Sequence, residues 1–227
     1  MTTVFLKCNF LISQIILIFL LNSCFQNNTS AVKTTISQDS IVTPAIVNQQ
    51  LDGKICSFST KDNPQASNLY LVIGYPCDWL VKDGDKPHVV QSFFKSLPQN
   101  SGSIESMLII TEFPIEPTTE QKTKFFLPEN LKNSTGNTNN EKNIKTRNNF
   151  TIDSEPAGEI ISETSRTESN ITIYGKTNLF FIWYKKYLIG LSYSITSEGE
   201  IHTNELFEKY KIIFSDLAKL LIIVKKK

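Results

Sequence analysis

Apolar and polar positions divide the chain before any single residue is considered. From Phe10 to Leu21 the residues are almost all apolar, and the run stops at Asn22-Ser23-Cys24. From Phe25 to Asp52 no apolar period is sustained, and Thr, Ser, Gln and Asn dominate. Beyond Gly53, short apolar runs alternate with turn signals. Lys54 to Thr60 reads as a short strand. Leu69 to Ile73 is a stronger one, rich in bulky residues and stopped by Gly74. Pro76 fixes the backbone and lacks an N–H, so the strand ends or bends there. Asp83-Gly84-Asp85 marks a turn. Val89 to Phe94 and Ser106 to Phe113 read as strands, as do Gly158 to Arg166 and Asn170 to Lys176. Leu179 to Tyr184 and Tyr187 to Ile195 form a hairpin around Lys185-Lys186. In its second arm Tyr187, Ile189, Leu191, Tyr193 and Ile195 alternate with Leu188, Gly190, Ser192 and Ser194. Period two with one smaller face describes a half-buried antiparallel strand. The first arm is bulky on both faces, which predicts a central strand covered on both sides.

Two stretches carry helical signals. Thr118 followed by Gln121 matches a capping box, and the helix should run to Leu127 because Pro128 follows. Near the C-terminus, Leu206, Tyr210, Ile213, Leu217, Leu220 and Val224 step by three or four, which places them on one helix face. Thr203 or Asn204 can cap its start. Glu205 and Glu208 in its first turns and Lys225 to Lys227 after its end suit the helix dipole. Between these regions, eight of the twenty residues from Asn130 to Asn149 are Asn. A segment with so little apolar surface cannot offset its ordering entropy, which predicts a disordered excursion at 130–149.

The apolar run ending in a cysteine resembles the lipobox of bacterial lipoproteins. Lys7 precedes the run, as in the basic n-region of a secretory signal. The resemblance implies cleavage between Ser23 and Cys24 and acylation of Cys24. The chain then divides into a signal peptide (1–23), a lipidated N-terminus with a flexible tether (24–52) and a single domain (53–227). Phe25, rather than Asp, after the lipidated cysteine resembles an outer-membrane address, with the domain facing the periplasm. The expected location is the bacterial cell envelope, with the membrane held through the lipid anchor.

Charge and cysteine content narrow the rest. The chain has 227 residues, of which 40% are hydrophobic and 15 are Phe, enough for one real core. Lys7 is the only charged residue before Cys24, so the remainder holds 22 basic and 22 acidic residues. A neutral domain argues against nucleic acid as a partner. Cys8 leaves with the signal and Cys24 takes the lipid. Cys56 and Cys77 remain, an even pair in an exported chain, and are expected to form a disulfide. Two histidines, His88 and His202, without ligand spacing to the cysteines, give no metal site.

The order of elements, with Tyr75-Pro76-Cys77-Asp78-Trp79, Glu155-Pro156-Ala157 and the Tyr210 to Leu220 helix, resembles the PsbP-like fold. That family includes an extrinsic photosystem subunit, a Ran-binding import factor and many bacterial lipoproteins. The resemblance implies an α+β domain, an antiparallel sheet flanked by helices in an α/β/α sandwich with a long C-terminal amphipathic helix. It also implies a binding or assembly module without catalytic residues or cofactors. The corner Tyr75, Asp78 and Trp79 is the expected contact surface. No G-x-S-x-G, H-E-x-x-H, phosphate-cradling loop or C-x-x-C occurs. The expected function is therefore a non-enzymatic envelope lipoprotein that binds another envelope protein. The alternative is an exported hydrolase or small-ligand carrier with a site in a sheet–helix crevice. A deep pocket with convergent polar groups would favour the alternative, and a shallow, aromatic-edged surface the module.

Overall fold

The computed structural model describes residues 54–134 and 141–225. The expected signal peptide (1–23), the expected lipidation site Cys24 and the expected tether (24–52) lie outside the described residues. Within them, a large antiparallel sheet has the order β3-β4-β5-β9-β8-β7-β6. Its strands are β3 (Leu80–Asp83), β4 (Val89–Ser96), β5 (Ser103–Glu112), β6 (Glu141–Ile152), β7 (Glu155–Glu168), β8 (Ile171–Tyr184) and β9 (Tyr187–Glu198). A small antiparallel sheet joins β1 (Ile55–Ser59), β2 (Leu71–Pro76) and β10 (Ile222–Ile223) in the order β1-β2-β10. The helices are α1 (Thr119–Phe125), α2 (Pro128–Ser134) and α3 (Glu200–Lys219). The chain is thus an α+β sandwich.

The hairpin read from alternation lies at the centre of the large sheet. Ile189, Leu191, Tyr193 and Ile195 of β9 join Phe180 and Ile182 of β8 in the main core, together with Phe207, Phe214 and Leu217 of α3. The other face of β8 presents Phe181 and Trp183, which pack with Phe125, Phe126 and Leu131 of the α1–α2 region. Both faces are covered, as the bulky first arm predicts. Gly158 on β7 lets the α1–α2 region approach closely: a Cβ there would meet the Phe126 ring at 2.6 Å and Leu131 at 3.1 Å. The separate strands expected at 170–176 and 179–184 are one strand, β8, because its pairing with β7 and β9 continues through Thr177 and Asn178.

The capping box holds: Thr118 Oγ1 accepts the Gln121 N–H at 3.2 Å, and Gln121 Oε1 accepts the Thr118 N–H at 2.8 Å. That helix stops at Phe125, and α2 begins at Pro128. The last helix departs from its predicted ends. It starts at Glu200 with Gly199 as N-cap, and Thr203 sits inside it, donating its hydroxyl to the Gly199 carbonyl at 3.0 Å. It ends at Lys219, so Val224 lies beyond the helix. The chain then extends as β10 against Val72 and Leu71 of β2. The buried line is centred on Phe207, Phe214 and Leu217, with Leu206, Tyr210, Ile213 and Leu220 flanking it.

The disordered excursion expected at 130–149 is corrected on both sides. Residues up to Ser134 continue α2, and residues from Glu141 belong to β6; 135–140 lie outside the described residues. Composition misleads here for two reasons. One fully buried side chain, Leu131, seats the short helix on the sheet. An edge strand gains main-chain hydrogen bonds whatever its side chains, and polar residues suit an edge. Register shifts between Asn143 and Lys145 and between Arg147 and Phe150 interrupt the β6–β7 ladder.

Candidate functional site

The expected disulfide is present. Cys56 and Cys77 are bonded with their Cα atoms 4.9 Å apart. Pairing of Ile55 with Pro76 and Cys56 with Tyr75 brings them together, and the Cys77 N–H donates to the Lys54 carbonyl at 2.9 Å. The corner they tie is not the contact surface expected. Tyr75 is 6% exposed and Trp79 5%. The Tyr75 ring lies 4.6 Å from that of Phe93, and burial raises its phenol pKa. Both rings are core, because the turn after β2 folds inward: the Trp79 N–H donates to the Pro76 carbonyl at 3.0 Å. Of the three, only Asp78 is exposed, and its carboxylate accepts from Lys95 Nζ at 2.7 Å.

A polar cleft of about 210 Å³ opens between the first turn of α3 and strands β7 and β8. Lys176 lies in it, 3.0 Å from Glu163 Oε1, 2.8 Å from Asn204 Oδ1 and 5.1 Å from the centre of the Phe207 ring. Lys142 and Glu200 line the same cleft, so its charges balance. Two residues further along β8, Asn178 is 2% exposed and donates to Glu159, which also accepts from Arg147 at 2.6 Å. Among the described residues, the Asn178 Oδ1 has no hydrogen-bond partner.

The histidines are not brought together. His88 precedes β4 and its carbonyl accepts from the Ile110 N–H, whereas His202 lies in the first turn of α3 after the far end of β9. His202 Nδ1 is 4.0 Å from Glu205. Among the described residues, no three His, Cys, Asp or Glu side chains group to hold a metal. Among the same residues, no helix is long and apolar enough to cross a membrane.

A larger groove, of about 330 Å³, opens at the β8–β9 turn. Tyr70, Tyr184 and Tyr187 wall it, with Lys185 and Lys186 at the turn and Val224 along one side. Its walls are fixed by main-chain bonds. The Tyr187 hydroxyl donates to the Ser67 carbonyl at 3.0 Å, and the Val224 N–H to the Tyr70 carbonyl at 3.0 Å. The Trp183 indole N–H donates to the Lys185 carbonyl at 3.1 Å, holding a residue whose φ is 50°. Ser67 and Asn68 opposite are also left-handed, with φ of 51° and 63°. Three non-glycine residues in that region indicate backbone held by its surroundings. Lys186 lies 2.5 Å from Glu112; this hydrogen bond lowers the carboxylate pKa and raises that of the ammonium. Lys185 Nζ lies 5.3 Å over the Tyr184 ring, and among the described residues no carboxylate pairs with it.

The groove and the disulfide corner are at opposite ends of the sheet. Asp78 reaches Lys95, which pairs with Ile104 and through it with Ile195. Tyr187 pairs with Glu112 at the other end of the same two strands. Eight residues of strand separate them, on the order of 25 Å. Periodicity reads Tyr184 and Tyr187 only as positions on the two arms of a hairpin. The available signal was the Lys185-Lys186 turn flanked by Tyr184 and Tyr187; Tyr70 and Val224 join it only in space.

No family model matches the chain, and no curated protein matches it. Among solved structures, it is similar to LpqN of Mycobacterium tuberculosis, a protein involved in cell envelope biogenesis. The identity is 14% and the TM-score 0.43, over 79% of this chain and 97% of that one. A Pseudomonas aeruginosa protein of unknown function is 11% identical, with a TM-score of 0.40 over 68% of this chain and 92% of that one. A Bacteroides thetaiotaomicron protein is 14% identical, with a TM-score of 0.34 over 69% of this chain and 46% of that one. None of the three lends this chain a function.

Proposed function

We propose that the protein is a lipid-anchored envelope lipoprotein whose domain is a non-enzymatic module for binding another protein. The tyrosine-walled groove is its contact surface. One observation carries this reading: the groove is aromatic-edged and lies at the end of the sheet away from the Lys54–Cys77 corner, where the domain begins. Tyrosines supply large contact area with few torsions to immobilise. An anchor at Cys24, followed by a tether spanning roughly 30 Å root-mean-square, leaves that end free to meet a partner. Phe25 supports an outer-membrane address facing the periplasm, and the order of elements supports a PsbP-like ancestry. The polar cleft gives the hydrolase or carrier reading less support, because Lys176, Glu163 and Asn204 bond one another rather than converging on an open point.

Cross-linking in cells, followed by identification of what is captured, tests the reading. Tyr70→Ala with Lys185→Glu should lose the captured partners. Asp78→Ala, at the opposite corner, should keep them. Undiminished capture by the groove variant would remove the groove from the contact surface.

A further inference from the structure

Beside the groove stands a projection of matching character. Ile115 is 80% exposed, on a loop stiffened by Pro114 and Pro117, and the next residue, Glu116, lines the groove. An isoleucine this exposed is an apolar group held out of contact with its own core. The recess that neighbours it is walled by Tyr70, Tyr184 and Tyr187 and carries Lys185, with which no carboxylate among the described residues pairs. Glu116 accepts from Lys122 at 2.8 Å, a partly exposed pair that leaves the second carboxylate oxygen to other donors. The surface therefore holds an apolar tip next to an acid, and an aromatic recess next to a base.

A two-fold interface between identical chains requires this combination, because each copy must offer both halves of the contact. A partner of different sequence needs only one half of it. We propose that this end of the domain is a self-association surface. Ile115 of one copy enters the tyrosine recess of a second copy, Glu116 faces that copy's Lys185, and the two-fold repeats both contacts. The proposal rests on the groove being a protein contact and names its occupant. A contact limited to one end of a domain is small beside the ~800 Å² per partner of a standard interface, so association in dilute solution is weak. Tethering both copies to one membrane raises their effective concentration and compensates.

The test uses the full-length chain in cells, co-expressed with two different tags, with Ile115 replaced by the photoreactive p-benzoylphenylalanine. Irradiation should give a product carrying both tags, with position 115 joined to residues 68–70 or 184–187 of the other copy. Lys185→Glu should cut the yield by about fivefold, the scale of an exposed charge pair, and adding Glu116→Lys should restore it. A product that joins position 115 to a different protein overturns self-association while keeping the groove as a contact surface. Absence of any product overturns both. A two-tag product mapped elsewhere and indifferent to the charge variants also overturns the proposal.

Discussion

Glu105 shows how a single residue reports on the sheet around it. It lies on β5 in register with Phe94 of β4 and Ser194 of β9. Burial raises its pKa; Lys86 and Lys82 act against that shift and Asp85 adds to it. A carboxyl with a raised folded-state pKa binds more protons folded than unfolded just above the ordinary value near 4.5. Its contribution is therefore largest at low pH and is lost as pH rises through that window. Glu105→Gln should raise the urea midpoint at pH 7, and the gain should vanish below pH ~4, where both states of the wild type are protonated. Equal midpoints at pH 7 would show that the carboxylate is solvated after all. Gly158 is sensitive for a steric reason. Gly158→Ala places a methyl against Phe126 and Leu131, and should cost about 1–3 kcal/mol as overpacking, read as a shifted midpoint with unchanged slope.

Short elements owe their place to a few side chains. Helix α2 has seven residues, too few to be stable alone, and only Leu131 and Ser134 of it are buried. Leu131→Ala should cost about 2–4 kcal/mol in urea unfolding and release the Phe125–Trp183 contact, seen as a change in tryptophan fluorescence. Substituting Lys145 of β6, which is exposed on the edge strand, should change stability by less than about 0.5 kcal/mol. At the other end of the chain, α3 gives way to β10 after Leu220. The Ile223 N–H then donates to Asp153 Oδ2 at 2.7 Å, so the outer edge of the small sheet is closed by a carboxylate. That edge is blunted against strand addition, in the way natural sheets protect their margins.

For the whole molecule, one covalent bond bears on its stability, and the proposed lipidation bears on its attachment. The Cys56–Cys77 bond closes a loop with a sequence separation of 21. In the chain-entropy model a loop of that length stabilises by about 3 kcal/mol. For a domain of this size that is roughly 6–12 °C in melting temperature. Reducing agent should produce a loss of that order, and Cys56→Ala with Cys77→Ala should remove the sensitivity. The proposed lipidation of Cys24 would act on location instead. Cys24→Ser should abolish palmitate labelling and move the protein into the soluble fraction, and continued labelling of that variant would refute the lipobox.

Alternation in Tyr187 to Ile195, the bulk of Leu179 to Tyr184 and the three-four spacing before Leu220 were enough to derive a central hairpin and a covering helix. Cysteine parity was enough to pair Cys56 with Cys77. These features are legible because each depends on periodicity or on counting, which are properties of neighbouring residues or of the whole list. The strand β6 and the pairing of β10 with β2, which begins just after α3 ends at Lys219, depend on main-chain hydrogen bonds to another strand, to which side-chain composition is indifferent. The contact corner failed for a related reason. Tyr75 and Trp79 look available as a motif, but the turn at Pro76 directs both rings inward against Phe93 and its neighbours. The groove at the opposite end draws Tyr70, Tyr184, Tyr187 and Val224 from three parts of the chain. Only the tertiary structure could assemble it, because Tyr187 reaches the Ser67 carbonyl across 120 residues of sequence.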